Sequence, residues 1–304
     1  MKFIKISTLI LTCCFIISAT AQQKQYDLKL KHTETINQEL QFTSQNIENI
    51  LVVNNVFGGV QVEGYTGKTI QIEVTKTIFA DTNEDLEKGK KEIGIKDAQK
   101  DNAIYVYVDS PYSHFDLETG SFEHHQYNWN RNRNYKHRSK RMYKYTLDFK
   151  IKVPRETSID LQAVNYGNIS VENIQAKLLI VNNVNGAIDM KNVSGKTDVN
   201  ALNKDINITY AENPKEESFY RSLNGDINIK FKEGLDAMIS YKTMNGKFYT
   251  NFEVEKTVPK IKKTSEIENK GTKFRIDSNS HFKIGNGNVA LHFDQLNGDA
   301  IVKK

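Results

Sequence analysis

Val181-Asn182-Asn183-Val184-Asn185-Gly186-Ala187-Ile188-Asp189-Met190 decides how this chain is read. Asn-Gly suits a tight turn because both residues tolerate positive φ. The alternation after it then puts Ile188 and Met190 on one face of a strand and Asp189 on the other. Upstream, the same grammar stands in Val164-Asn165-Tyr166-Gly167-Asn168-Ile169-Ser170-Val171. Downstream it returns in Leu202-Asn203-Lys204-Asp205-Ile206-Asn207-Ile208, Leu223-Asn224-Gly225-Asp226-Ile227-Asn228-Ile229 and Met244-Asn245-Gly246-Lys247-Phe248-Tyr249. Two further copies follow near the end, Gly285-Asn286-Gly287-Asn288-Val289-Ala290-Leu291 and Leu296-Asn297-Gly298-Asp299-Ala300-Ile301.

Gly167, Gly186, Lys204, Gly225 and Gly246 are separated by 19, 18, 21 and 21 residues. A period near twenty signals a solenoid, in which one repeat cannot bury its apolar face alone and stacked repeats share a continuous core. Two strands of roughly five residues plus turns fill such a period, with neighbours stacked about 4.8 Å apart. The four prolines leave few blocks to strand pairing. The predicted fold is all-β: a β-solenoid-like stack of short strands with a period of about 20 residues, one short helix and one long loop insertion.

The first half carries the pattern more loosely, in Val53 to Val62 and Ile70 to Thr75. From Thr82 to Ile93 the period changes to a helical one, with Thr82 as cap and Leu86, Lys90 and Ile93 recurring on one side. Ile104 to Val108 and Tyr143 to Val153 alternate as strands, and Pro154 closes the latter. Asn165, Asn185, Asn203, Asn224 and Asn245 share a register, which predicts a hydrogen-bonded side-chain ladder from repeat to repeat. Lys204 stands where its neighbours have Gly, so that turn is expected to strain or change type.

At the start, Lys2 and Lys5, the apolar Ile6 to Ile17 and Ala19-Thr20-Ala21 read as a secretory signal peptide over residues 1–21, too short to span a bilayer. Thr12 before Cys13 and the apolar Phe15 to Ile17 after Cys14 disfavour a lipid-anchor site. The organisation read from the sequence is a signal peptide, an N-terminal extension over 22–49, and one repeat domain over 50–304 carrying an inserted loop at 110–142. Both cysteines fall in the signal peptide, which excludes thiol chemistry, disulfides and Cys-ligated zinc from the mature chain. Formal charge is +5, and +3 without Lys2 and Lys5 (40 basic against 37 acidic residues), too near neutral to argue for nucleic acid. After residue 21 no apolar stretch is long enough to cross a membrane as a helix.

The signal-like start, Asp148-Phe149-Lys150-Ile151-Lys152-Val153-Pro154 and the run Val181-Asn182-Asn183-Val184-Asn185-Gly186 to Val193-Ser194-Gly195 resemble the putative adhesin family of bacterial exported β-strand-repeat domains of unknown function. The resemblance covers residues 50–304 and rests on repeat style. It implies a β-solenoid-like or sandwich-like stack, common in exported proteins of the Bacteroidetes type, with an adhesive role. No functional residue transfers from it.

Three constellations carry residue types capable of chemistry. His114, His124, His125 and His137 lie beside Asp116, Glu118 and Glu123, but their spacing fits no short zinc motif and reads as a solvated loop. Asp205 and Asp226 fall in one column with Ala187 and Lys247; two carboxylates one rung apart would suit a carbohydrate-active β-helix enzyme, but with Lys247 beside them the column reads as ordinary surface charge balancing. The segment from Gln126 to Arg141 interleaves aromatic and basic residues, and its Trp129, Arg131, Arg133, Tyr135 and Arg138 are the candidate ligand-binding set. No catalytic, cofactor-binding or metal residue is assigned, and no cofactor. The function expected is an exported, non-enzymatic structural, adhesive or ligand-presenting module, periplasmic, at the cell surface or secreted. Its expected partner is an envelope glycan, lipopolysaccharide or protein. A periplasmic sensory or regulatory partner in envelope stress is the alternative, with the carbohydrate-active enzyme second.

Overall fold

The computed structural model describes residues 28–44, 46–124, 143–257, 261–267, 271–276 and 279–304, the strands within 261–276 by their backbone. The first part of the chain forms β1 (Leu30–Leu40), β2 (Ile50–Phe57), β3 (Val60–Tyr65), β4 (Ile70–Ala80), α1 (Asn83–Glu92), β5 (Gly94–Lys100), β6 (Ala103–Asp109), β7 (Ser113–Asp116) and β8 (Ser121–His124). Then come β9 (Tyr143–Pro154), β10 (Ser158–Asn165), β11 (Ile169–Glu172), β12 (Gln175–Asn183), β13 (Ile188–Ala201), β14 (Ile206–Tyr210), β15 (Ser218–Ser222) and β16 (Ile227–Lys230). The last part forms β17 (Ala237–Lys242), β18 (Phe248–Thr250), β19 (Glu255–Thr257), β20 (Ile261–Ile267), β21 (Gly271–Ile276), β22 (Ser280–Ile284), β23 (Val289–Gln295) and β24 (Ala300–Lys303). This is the β-solenoid-like fold that the repeats predict.

Two facing sheets enclose the core. Sheet one runs β1, β4, β9, β3, β11, the first half of β13, β14, β16, β24, β18. Sheet two runs β5, β6, β2, β10, β12, the second half of β13, β15, β23, β17, β22, β19. Each rung is a strand of sheet two that bends into a strand of sheet one, and neighbouring rungs pair in parallel. β13 passes from one sheet to the other at Asn192, whose φ of 54° is a left-handed value that Asn tolerates.

Stack order departs from chain order at both ends. The rung β2/β3 lies between β6/β9 and β10/β11. At the far end β23/β24 is slotted between β15/β16 and β17/β18, so the last strands of the chain fill a place inside the stack. The step of 52 residues from Gly246 to Gly298, against 18 to 21 between the earlier repeats, marks the excursion through β19 to β22 that precedes this insertion. Nor is Gly285 to Asn288 a rung bend. It reverses the chain between β22 and β23, with Gly285 and Gly287 at φ of 61° and 78°.

Alternation explains the core. Val60, Ile169, Ile188, Ile206, Ile227 and Ala300 form one inward row, all fully buried, and each buried Ile or Val contributes about 1.5–3 kcal/mol. In sheet two the row Leu51, Ile159, Leu179 continues into Thr197 and Ser218. Those smaller residues make room for Tyr210 and Tyr220, whose hydroxyls meet at 2.6 Å while Tyr210 Oη donates to Thr197 Oγ1 at 2.8 Å. Burial pushes both phenols up, so the network stays neutral.

The helix forms where predicted: Thr82 Oγ1 accepts from the Asp85 amide at 3.1 Å, and Lys90 and Lys91 occupy the last turn. Gly89 lets it lie against Ile78 and Tyr143, where a Cβ would come within 2.6 Å of Ile78 Cγ2. The stretch read as an N-terminal extension supplies β1, in antiparallel register with β4 from Leu30↔Ala80 to Leu40↔Ile70.

Candidate functional site

Every rung turns from sheet two into sheet one along one edge of the stack, and the repeated Asn and Gly residues stand there. Asn185 Nδ2 donates to Asn165 Oδ1 at 2.7 Å, Asn203 to Asn185 at 2.8 Å, and Asn224 to Asn203 at 3.0 Å. Asn297 then donates to Asn224 and Asn245 to Asn297, both at 2.9 Å. The ladder predicted from the register is present, with Asn297 inserted as its fifth member in stack order because β23/β24 occupies that slot. Each interior amide gives and accepts one bond, so the row satisfies itself.

The glycines beside the ladder serve a purpose other than the one assigned from sequence. Gly167, Gly186, Gly225 and Gly246 all lie outside the left-handed region. What they provide is room: a Cβ at Gly186 would overlap the Gly167 carbonyl, at Gly225 the Lys204 carbonyl, and at Gly246 the Gly298 carbonyl. Gly298 does lie at positive φ, 109°. The Lys204 turn is not strained in φ, and it keeps the bend of its neighbours between Ala201 and Ile206.

Carboxylates form the next column. Asp205 Oδ1 accepts from the Asp226 amide at 2.9 Å, Asp226 Oδ1 from the Asp299 amide at 2.8 Å, and Asp299 Oδ1 from the Lys247 amide at 2.8 Å. Asn168 does the same for the Ala187 amide at 3.0 Å and Asp148 for the Gly59 amide at 2.8 Å. Asp205 and Asp226, the pair that could have suggested a glycosidase, each hold the next rung's backbone. From inside the edge, Asn183 Nδ2 reaches the Gly167 and Ala187 carbonyls, and Ser222 Oγ donates to the Gly225 carbonyl. Pairing along this edge thus runs on three parallel lines, one side chain to side chain and two side chain to main chain.

One rung departs from this. Between β6 and β9 the bend is replaced by the insertion, whose first part, β7 and β8, is an antiparallel hairpin with Ser113 opposite His124. The hairpin lies on the outer face of sheet two: Phe115 stacks on Tyr107 at 4.3 Å between centroids and tilts against Tyr105 at 5.1 Å, with Phe122 6.3 Å from Tyr107. Asp116, one of the acids near the histidines, has its carboxyl held below the usual range, chiefly by the Thr119 hydroxyl and then by the Glu118 amide. Its oxygens are occupied by the hairpin turn. His114 is exposed on β7, and among the described residues no three His, Asp or Glu side chains gather as a metal-binding group. His125, His137 and the candidate set Trp129, Arg131, Arg133, Tyr135 and Arg138 lie outside the described residues, as does the signal peptide. Among the described residues no helix is long and apolar enough to cross a membrane.

Among curated proteins none matches the chain. Three solved structures are similar to it. A putative cell adhesion protein from Clostridium sporogenes is 12% identical over 90% of this chain and 99% of that one, with a TM-score of 0.45. A putative adhesin from Bacteroides fragilis is 11% identical over 88% and 97%, TM-score 0.39, and another from Parabacteroides merdae 11% identical over 89% and 96%, TM-score 0.23. The repeat segment from β10 into β23 has the clearest kinship, and it agrees with the resemblance drawn from the repeats. Residues 158–292 match the family model described as Toastrack DUF4097, and over that segment the chain is similar to this family.

Proposed function

We propose that this is an exported, non-enzymatic module of the cell envelope or surface, a stiff stack that presents its 110–142 insertion to a glycan, lipopolysaccharide or protein. The observation that carries the reading is the exchange of one edge bend for the insertion. The edge is closed by side-chain ladders at every rung from β10/β11 to β17/β18, whereas at β6/β9 the chain leaves the stack through a hairpin clamped by Phe115 on Tyr107. A segment held at its base by stacked rings starts from a fixed place, which lowers the entropy cost of meeting a partner. Beyond the hairpin follow Trp129, Arg131, Arg133, Tyr135 and Arg138, whose rings and guanidinium groups suit sugar faces and anionic groups. Asp205 and Asp226, bound to backbone amides, leave the enzyme reading without its motivating pair.

The test is binding of residues 22–304, and of the same chain with those five residues changed to Ser, to a glycan and lipopolysaccharide array at two salt concentrations. The parent should bind in a salt-sensitive way, and the variant should bind about tenfold more weakly or not at all. Equal binding by both would remove the insertion from the reading; silence of the parent towards both ligand classes, with capture of one protein at fixed stoichiometry, would redirect it to a protein partner.

A further inference from the structure

The geometry points to β1 as a self-pairing edge: two copies of this chain joining sheet one to sheet one through antiparallel β1 strands, on a twofold axis at Thr35. The ends of the two sheets are otherwise poor templates. β18 and β19 are three residues each, and β5 is seven residues long against the eleven of β1. β1 is eleven residues, in unbroken register with β4, without Pro, Gly or bulge, and among the described residues β4 is its one strand partner. Soluble proteins ordinarily shorten, kink or cover an edge of that length, because its free amides and carbonyls recruit another strand.

The flank of β1 also looks unfinished. On β4 the inward residues Ile70, Val74 and Ile78 are fully buried, while the β1 residues paired with them, Leu40, Ile36 and His32, are only half-buried. A strand laid alongside would cover them.

The sequence of β1 supplies the occupant. Read antiparallel against itself about Thr35, Lys31 falls opposite Glu39, Thr33 opposite Asn37 and Leu30 opposite Leu40. Charge meets opposite charge on the exposed face; on the inward one leucine meets leucine at the ends, with His32 opposite Gln38 and Glu34, already paired with Lys76, opposite Ile36 between them. Sliding by two residues in either direction places Lys31 opposite an amide, Asn37 or Gln41, and Leu30 opposite Gln38 or Phe42. Of these three registers the one centred on Thr35 alone pairs Lys31 with Glu39, and it is the one assigned to the closed, self-complementary dimer.

The mature chain has no cysteine, so one introduced thiol reports without interference. Thr35→Cys, on the exposed face and at the axis, should oxidise to a linked dimer much faster than Thr66→Cys, an exposed site away from β1. Sedimentation of the parent should show a dimer, weakened about tenfold by Lys31→Glu and restored by adding Glu39→Lys. A parent that stays monomeric up to its solubility limit overturns the inference. So does a dimer in which Thr35→Cys links no faster than Thr66→Cys, or in which both charge variants behave like the parent.

Discussion

Lys76 is the most buried cation described in the stack, its side chain 5% exposed, and an ammonium in that position is tolerated only when paired. Its Nζ reaches Glu34 Oε1 at 2.7 Å and the Lys90 carbonyl at 2.7 Å, tying β4 to β1 and to the end of α1. The hydrogen bond from Lys76 holds the Glu34 carboxyl below its ordinary 4.5, against the opposing effect of burial. A carboxyl with a depressed folded-state pKa gives stability that is complete above the unfolded value and disappears as pH falls through the folded one. Glu34→Gln, half-open to solvent and keeping an acceptor for Lys76, should therefore cost about 1 kcal/mol in urea unfolding at neutral pH. Its stability should also fall less steeply than the parent's below pH 4.5; parallel acid limbs would mean that this pair is not linked to folding.

At the scale of the element, the edge bend depends on two kinds of residue with different costs. Asn224→Ala removes one donor and one acceptor from an exposed ladder, which should cost about 1 kcal/mol. Gly225→Ala drives a methyl into the Lys204 carbonyl of the neighbouring rung, a main-chain obstacle, and should cost more, about 2–3 kcal/mol. Gly94→Ala, facing open space at ordinary φ, should stay within about 0.5 kcal/mol of the parent or improve on it. Thermal or urea unfolding of the three variants checks the ranking, and equal costs for Asn224 and Gly225 would contradict the packing account. The Asn register, the Thr82 cap and the alternation of β6 and β9 were legible because each is a local pattern with one structural outcome. The reason for the glycines was not, since a clash with the next rung and a need for positive φ select the same residue. Nor was the slot of Asn297: a parallel neighbour must match register along the strand, and chain order places no condition on it. The carboxylate column was visible as Asp205 and Asp226, but its amide partners belong to the next rung, which sequence spacing alone does not show.

For the whole molecule, the consequence lies in how the rungs interleave. Cleavage at an engineered site in the β7–β8 turn, between Glu118 and Thr119, divides the chain, yet β2/β3 from the first fragment remains enclosed between β9 and β10/β11 of the second. The fragments should co-elute from a sizing column and separate only in denaturant; separate peaks in plain buffer would refute the enclosure. The C-terminal slot has a consequence in time. A ribosome delivers β17/β18 before the rung that must stand between it and β15/β16, so the stack stays open until Val289 to Lys304 have been made. A product lacking Val289 to Lys304 would therefore leave β15/β16 and β17/β18 without the rung that joins them.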